Sequence, residues 1–392
     1  MVNIIDEAKD IFDYTRDLRR DFHMHPELGF KEIRTANIVN KELSNMGLEV
    51  KTGVGQTGVV ALIEGNNPGP VVLIRFDMDA LPIQEETGAD YASTNPGVMH
   101  ACGHDGHVAI GLTVARLLNK HRAEFSGTVK LVFQPAEEGL GGAEWMIKDG
   151  VLQSPRPDFA LALHVWNEKP VGWIGIVPGP VMAAADTFSI KIIGKGGHGA
   201  VPNLCNDPIL AAAQVVNLLQ GIVSRNVSPL KSAVVTVASI HGGEAFNVIP
   251  PDVELKGTLR TFEPEIRAMV IRRLNEIVEH VAIATGCGSQ VDIRSITPAV
   301  INQPDVTNRV QQIAKRIHPN AQFDYQTITM GSEDMAYMMQ EIPGCYFFIG
   351  SANSEKKLDA SHHHPRFDFD ETILPNAVGL MVASTLEFLG NK

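Results

Sequence analysis

A chain of 392 residues, 44% hydrophobic and 20% charged, has the composition of a globular protein and is too long for one ordinary core, so two domains are expected. The net charge of -12 argues against nucleic acid or an acidic membrane surface as partner. Cys102, Cys205, Cys287 and Cys345 are far apart, which gives no disulfide framework and fits a cytoplasmic protein, and neither a signal peptide nor a membrane span is expected.

Ile5, Ala8, Phe12, Leu18 and Phe22 recur at helical spacing, and Pro26 ends that helix. A second helix is expected from about Lys31 to a C-cap at Gly47. Val59 to Ile63 and Val71 to Phe76 read as buried strands. A glycine-broken loop follows, His100-Ala101-Cys102-Gly103-His104-Asp105-Gly106-His107, and then a helix to about His121. Strands are expected at Val129 to Phe133 and Phe159 to His164. Strand and helix alternate, which predicts an α/β fold with a mostly parallel central sheet flanked by helices.

The pattern changes near Ala185. Strands are expected at Thr187 to Ile193, Ala233 to Ile240, Val253 to Phe262 and Val291 to Ile296, with helices opening at Asp207-Pro208 and striped by Ile266, Val270, Leu274 and Val281. Four antiparallel strands and two helices make a small α+β unit. From Thr307 the α/β pattern resumes: a helix to Ile317, a strand at Phe323 to Thr329, a helix capped by Ser332, a strand at Cys345 to Ile349 and a last helix to Phe388. Residues 1–184 and 299–392 are therefore expected to form one domain, and residues 185–298 a second inserted into it.

Candidate ligands fall just past predicted strand ends: Asp77 and Asp79, Glu137 and Glu138, and His164. Ligands of open α/β sheets gather there. Each alone reads better as a turn acid, a solvated pair or a core histidine; together with Cys102, His104 and the His362-His363-His364 run they point to a metal site. Adjacent glutamates can divide the labour, one on metal and one facing water whose pKa the metal lowers towards about 7. Cys102 precedes a helix, whose N-terminal field favours thiolate, and bridging ligands point to two metals.

These motifs resemble the aminoacylase and hippurate hydrolase family of dinuclear metal amidohydrolases, which includes the plant indole-acetyl-amino-acid hydrolases and the bacterial N-acetyl-diaminopimelate deacetylases. Further matching segments are Asp77-Met78-Asp79-Ala80-Leu81-Pro82, Gln134-Pro135-Ala136-Glu137-Glu138-Gly139, Asn247-Val248-Ile249-Pro250 and Gly257-Thr258-Leu259-Arg260. The resemblance implies that Cys102 bridges two divalent ions (Zn, Mn, Co or Ni), with His104, Glu138, His164 and His363 as the other ligands. His363 stands two residues before Pro365, as in the family, and the tandem run leaves His362 and His364 as alternatives. Glu137 is implied as general base and Asp79 as a carboxylate that orients a ligand. The insertion is implied to be a lid and dimerisation domain of a homodimer or homotetramer. Its His198 meets the substrate carbonyl from the partner, and Asn247 and Arg260 hold the substrate. Asn203 departs from the family, where a histidine often follows the lid proline.

The expected reaction is cleavage of small N-acyl-L-amino acids to a carboxylic acid and a free amino acid. N-acetyl-diaminopimelate deacetylation and dipeptidase or carboxypeptidase action are alternatives within the family. A remoter alternative is a nicotinamide oxidoreductase, because Gly194 to Gly199 spells G-x-G-x-x-G after a strand. Pro202 and the lack of a following acid before Glu244, Asp207 apart, weigh against it.

Overall fold

The structure, a computed structural model, describes residues 4–391. Its backbone divides into two compact units: Met1–Val181, Val300–Ile328 and Glu333–Lys392 form the first, and Met182–Ala299 with Thr329–Ser332 the second. The chain thus leaves the first unit, builds the second, and returns.

The first unit is built on eight strands: β1 (Val50–Val54), β2 (Gly58–Glu64), β3 (Val71–Asp77), β4 (Thr128–Gln134), β5 (Phe159–Pro170), β6 (Trp173–Gly175), β7 (Gln322–Asp324) and β8 (Gly344–Ala352). Their order across the sheet is β1-β2-β4-β3-β5-β8-β6-β7. The run β4-β3-β5-β8 and the pair β6-β7 are parallel; β1-β2, β2-β4 and β8-β6 are antiparallel. The parallel centre is the part the apolar runs announced, since every residue of β3 is buried.

Helices α2 (His104–Lys120) and α3 (Leu374–Phe388) pack on this sheet and on each other, and α1 (Phe12–Met24) packs against both of them. α2 buries Val108, Leu112, Ala115 and Leu118 against core residues such as Ile74, Phe76 and Phe133. It lies close on the sheet because position 111 is glycine: a Cβ there would stand 2.6 Å from the Phe76 ring and 2.8 Å from Phe133.

The second unit carries its own antiparallel sheet, in the order Ala233–His241, Asp252–Thr261, Ala184–Ile193, Gly288–Thr297. Helices Pro208–Gly221 and Pro264–Ala284 supply Ala211, Val215, Leu219, Val270, Leu274 and Val278 to a core with Phe188, Ile190, Leu255 and Leu259. Asp207 caps the first of them, accepting from Ile209 N and Leu210 N.

Some elements differ from expectation. The N-terminal helix is two pieces, Ile4–Asp10 and Phe12–Met24, divided at Ile11. β5 does not stop at His164 but continues to Pro170, because β8 pairs with it as far as Ala352. The strand expected at Phe323 to Thr329 is only Gln322–Asp324. The next helix begins at Met335 with Asp334, not Ser332, at its N-cap. Gly111→Val should overpack the contact between α2 and the sheet and cost about 1–3 kcal/mol, read as a lower midpoint in urea denaturation.

Candidate metal centre

The ends of β3 and β4 and the middle of β5, where His164 lies, converge with the start of α2 and the segment around residue 363. Gly103 precedes α2 with φ +88°, and a Cβ there would lie 2.4 Å from Val165, so only glycine turns Cys102 and His104 inward at this point. The loop after β4 turns at Ala136 (φ 53°). Glu32 and Asp79 hold that loop, accepting from Ala136 N at 2.8 Å and Glu138 N at 3.0 Å. His363 takes a left-handed backbone (φ 64°) and donates its N–H to Ala101 O at 2.8 Å, which fastens it to the cysteine loop.

Donor atoms of Cys102, His104 and His164 all lie within 4.8 Å of one another, and so do those of Cys102, Glu138 and His363. Cys102 belongs to both sets. Its Sγ is 3.5 Å from His164 Nε2, and His363 Nε2 is 3.3 Å from Glu138 Oε1. Glu137 joins His104 and Glu138 in a third set. His104 Nδ1–H donates to Asp79 O at 2.9 Å and His164 Nδ1–H to Val165 O at 2.5 Å. Both rings therefore turn an Nε2 lone pair towards the cluster. His364 stands apart: its Nδ1 accepts from Arg366 N at 3.0 Å, and it joins no donor set among the described residues.

This donor set fits a divalent cation. His104 Nε2 is buried and makes no hydrogen bond, and Asp79 Oδ1 and Glu138 Oε1 likewise accept none. Acids outnumber the cations that face them. Burial and the carboxylates of Glu333, Glu138 and Asp334 push Glu137 well above the usual glutamate range. Burial raises Asp334 to about 8, with Glu333 adding to the rise and Arg75 opposing it. Thiolate, imidazole and carboxylate together suit borderline-soft metals.

Beneath these groups lies a charged layer that the sequence reading did not single out. Arg75, in the middle of β3, is fully buried and every guanidinium N–H direction is used. Nη1 donates to Asp77 at 2.6 Å and Glu333 at 3.1 Å, Nη2 to Glu333 at 2.7 Å and Asp334 at 3.1 Å, and Nε to Gln134 at 2.8 Å. Asp334 also accepts from Gln134 Nε2 at 2.6 Å and Ala143 N at 2.9 Å, bracketing the loop that carries Glu137 and Glu138. A charge at a strand centre, inside an otherwise apolar run, was the signal available for this layer.

The second unit holds the other implied residues. His198 is exposed on a two-residue strand (Gly197–His198) paired with Val248–Ile249. Its Nδ1 accepts from Ala200 N at 3.0 Å, so a neutral ring presents Nε2–H as a donor. Asn247 is exposed beside that ribbon, its O accepting from Gly199 N at 2.8 Å. Arg260 is half-buried, donates to Leu259 O at 3.0 Å and forms no salt bridge among the described residues. Gly194 to Gly199 does not open an α-helix: it contains the two-residue strand Gly197–His198 and is followed by the single 3-10 turn Pro202–Leu204, which removes the nicotinamide reading.

Arg75→Met should leave Asp77, Glu333 and Asp334 buried without a counter-charge and cost about 3–5 kcal/mol at neutral pH. In the variant Asp334, which burial already raises to about 8, loses the guanidinium that lowers it and titrates higher still when folded, so protonation favours the folded state. The deficit in the denaturation midpoint should therefore shrink as pH is lowered.

The model of peptidase family M20/M25/M40 matches residues 73–387. An N-acetylcysteine deacetylase of Bacillus subtilis is 42% identical over 91% of this chain and 92% of its own length. Thermostable carboxypeptidase 2 of Saccharolobus solfataricus is 38% identical over 94% and 93%. A crystal structure from Bacillus subtilis, described as a dinuclear metal binding peptidase from the M20 family, superposes with a TM-score of 0.84 at 35% identity, covering 96% of this chain and 98% of that one. With its sheet, its inserted unit and its cysteine-centred cluster accounted for, the chain belongs to peptidase family M20/M25/M40.

Proposed function

We propose that this protein hydrolyses the amide bond of N-acyl-L-amino acids, releasing a carboxylic acid and a free amino acid. Membership of a peptidase family makes it a metal-dependent hydrolase of amide bonds. The observation that carries the finer reading is the sharing of Cys102 between two ligand sets with Glu137 beside them. Cys102, His104 and His164 would hold one ion, and Cys102, Glu138 and His363 the other. Two divalent ions bound there would polarise the scissile carbonyl and lower the pKa of the attacking water.

The chain's own groups do the rest. Glu137, next to Glu138 and largely shielded from solvent, takes the proton of the water and passes it to the leaving amine. Asp79 holds His104 through its carbonyl oxygen and Glu138 N through its carboxylate, so one residue orients two ligands. His198 Nε2–H is a donor suited to the carbonyl oxygen as charge develops on it, and Asn247 stands beside it on the same ribbon. Arg260, without a salt-bridge partner, is suited to the free α-carboxylate of the amino-acid half. A carboxypeptidase would use the same capture, and the Saccharolobus relative's name keeps C-terminal peptide bonds in the substrate panel. The free cysteines accord with a cytoplasmic location, and the dimer implied for such insertions is part of the same proposal. Among the described residues no helix is long and apolar enough to cross a membrane.

Chelation should abolish hydrolysis of N-acetyl and N-benzoyl amino acids, and re-addition of Zn, Mn, Co or Ni should restore it. Glu137→Gln should lower kcat by about 100- to 10,000-fold while the purified protein keeps its metal by elemental analysis. Persistent turnover in that variant would remove Glu137 as the base, and a substrate amidated at its α-carboxyl that is cleaved as fast as the free acid would remove Arg260 from carboxylate capture.

A further inference from the structure

β5 loses one of its two neighbours part-way along its length. Its pairing with β3 ends at Arg75 opposite Ala162, yet Val165 and Asn167 beyond that point are buried. Their backbone N–H groups need acceptors. Two imidazoles supply them: Val165 N donates to His107 Nε2 at 3.0 Å, and Asn167 N donates to His362 Nε2 at 3.1 Å.

A backbone N–H can only donate. Each Nε2 therefore carries a lone pair, and a neutral ring must hold its proton on Nδ1. His107 Nδ1–H is met by Asp77 Oδ1 at 2.5 Å. His362 Nδ1 lies 3.9 Å from Cys102 Sγ. These two histidines and the two whose rings bond backbone carbonyls thus all hold the proton on Nδ1 and differ in what Nε2 meets. His104 and His164 spend Nδ1–H on backbone carbonyls and keep an Nε2 lone pair for the cluster, while His107 and His362 spend Nε2 on backbone N–H groups. His164 sits between the latter two, with ring centroids 4.6 Å from His107 and 5.2 Å from His362.

We propose that His362 is a positioning residue and not a metal ligand: by finishing the hydrogen-bond ladder of β5 it is fixed as the Nδ1–H tautomer and donates an N–H···S hydrogen bond to the Cys102 sulfur. To ligate through Nδ1 it would have to give up either the Asn167 bond or its last proton. The bond does two things. It sets the orientation of the thiolate, and it withdraws electron density from a sulfur shared between two cations. His107 plays the same part on the Asp77 side. The inference rests on the reading of Cys102 as a metal-bound thiolate.

Two substitutions separate the halves of the role. In His362→Gln the side-chain oxygen takes the place of Nε2 and keeps the Asn167 bond, but nothing donates to sulfur. In His362→Asn the amide N–H takes the place of Nδ1–H, but Asn167 loses its acceptor. Each protein is titrated with Co(II) and its near-ultraviolet sulfur-to-cobalt band recorded. His362→Gln should bind as many cobalt ions as the parent, with the band moved to longer wavelength because the sulfur donates more freely, and kcat should fall about ten-fold with KM little changed. His362→Asn should keep the parent band. Loss of a cobalt equivalent in His362→Gln, or an unmoved band, would overturn the proposal. A parent protein with no such band would instead sink the thiolate reading. The 15N shifts of His362 in the metal-free protein then decide the inference by themselves, a proton on Nδ1 upholding it and one on Nε2 overturning it.

Discussion

Arg75 is the one guanidinium around which the acids beneath the cluster are arranged. A carboxylate taken from water into a protein interior costs several kcal/mol unless something charged meets it. Asp77, Glu333 and Asp334 are all buried, and each donor of Arg75 is aimed at one of them or at Gln134. Through Asp77 the network reaches His107, and through Gln134 and Ala143 it reaches the loop of Glu137 and Glu138. The same guanidinium therefore fixes positions on both sides of the cluster without touching it.

That layer explains why the groups above it can stay rigid. Histidines and carboxylates on loops sample many rotamers unless a second partner holds each of them. Here the partners are mostly backbone atoms: Asp79 O and Val165 O for the rings of His104 and His164, Ala101 O for the chain at His363, and Glu138 N for Asp79. Backbone partners belong to strands and helix starts, so the geometry of the cluster is inherited from the sheet.

The gathering of Glu138 and His164 with the Cys102-His104 loop was legible in the sequence because metal donors fell at the ends of apolar, β-branched runs and in the loop after one of them, whereas His363 was singled out only by the family resemblance. The fold class was legible for the same reason, from strands buried on both faces and a shift to alternation in the insertion. The charged layer was not. Arg75 sits inside a run that reads as a plain core strand, and Glu333 and Asp334 sit in a segment read only as a helix start. Their meeting depends on pairings across more than two hundred residues, to which local pattern is blind. The residues themselves, without the family resemblance, could not tell the tandem histidines apart, because what separates His362 from His363 is the backbone N–H of Asn167, a partner no spacing reveals. β1 was missed because Lys51, Thr52 and Gly53 are exposed and offer no apolar alternation.

The route of the chain has a consequence for how the protein is made. Glu333, Asp334, β8 and the His362-His363 pair are all encoded after the inserted unit. On the ribosome, the second unit is complete while the first still lacks two of the acids that neutralise Arg75 and the central strand that pairs with β5. The insertion, with its own core, can fold as it emerges. The first unit must wait as an open sheet until Glu333, Asp334 and β8 have been made, and a cofactor held by His363 can be loaded only after that residue has emerged.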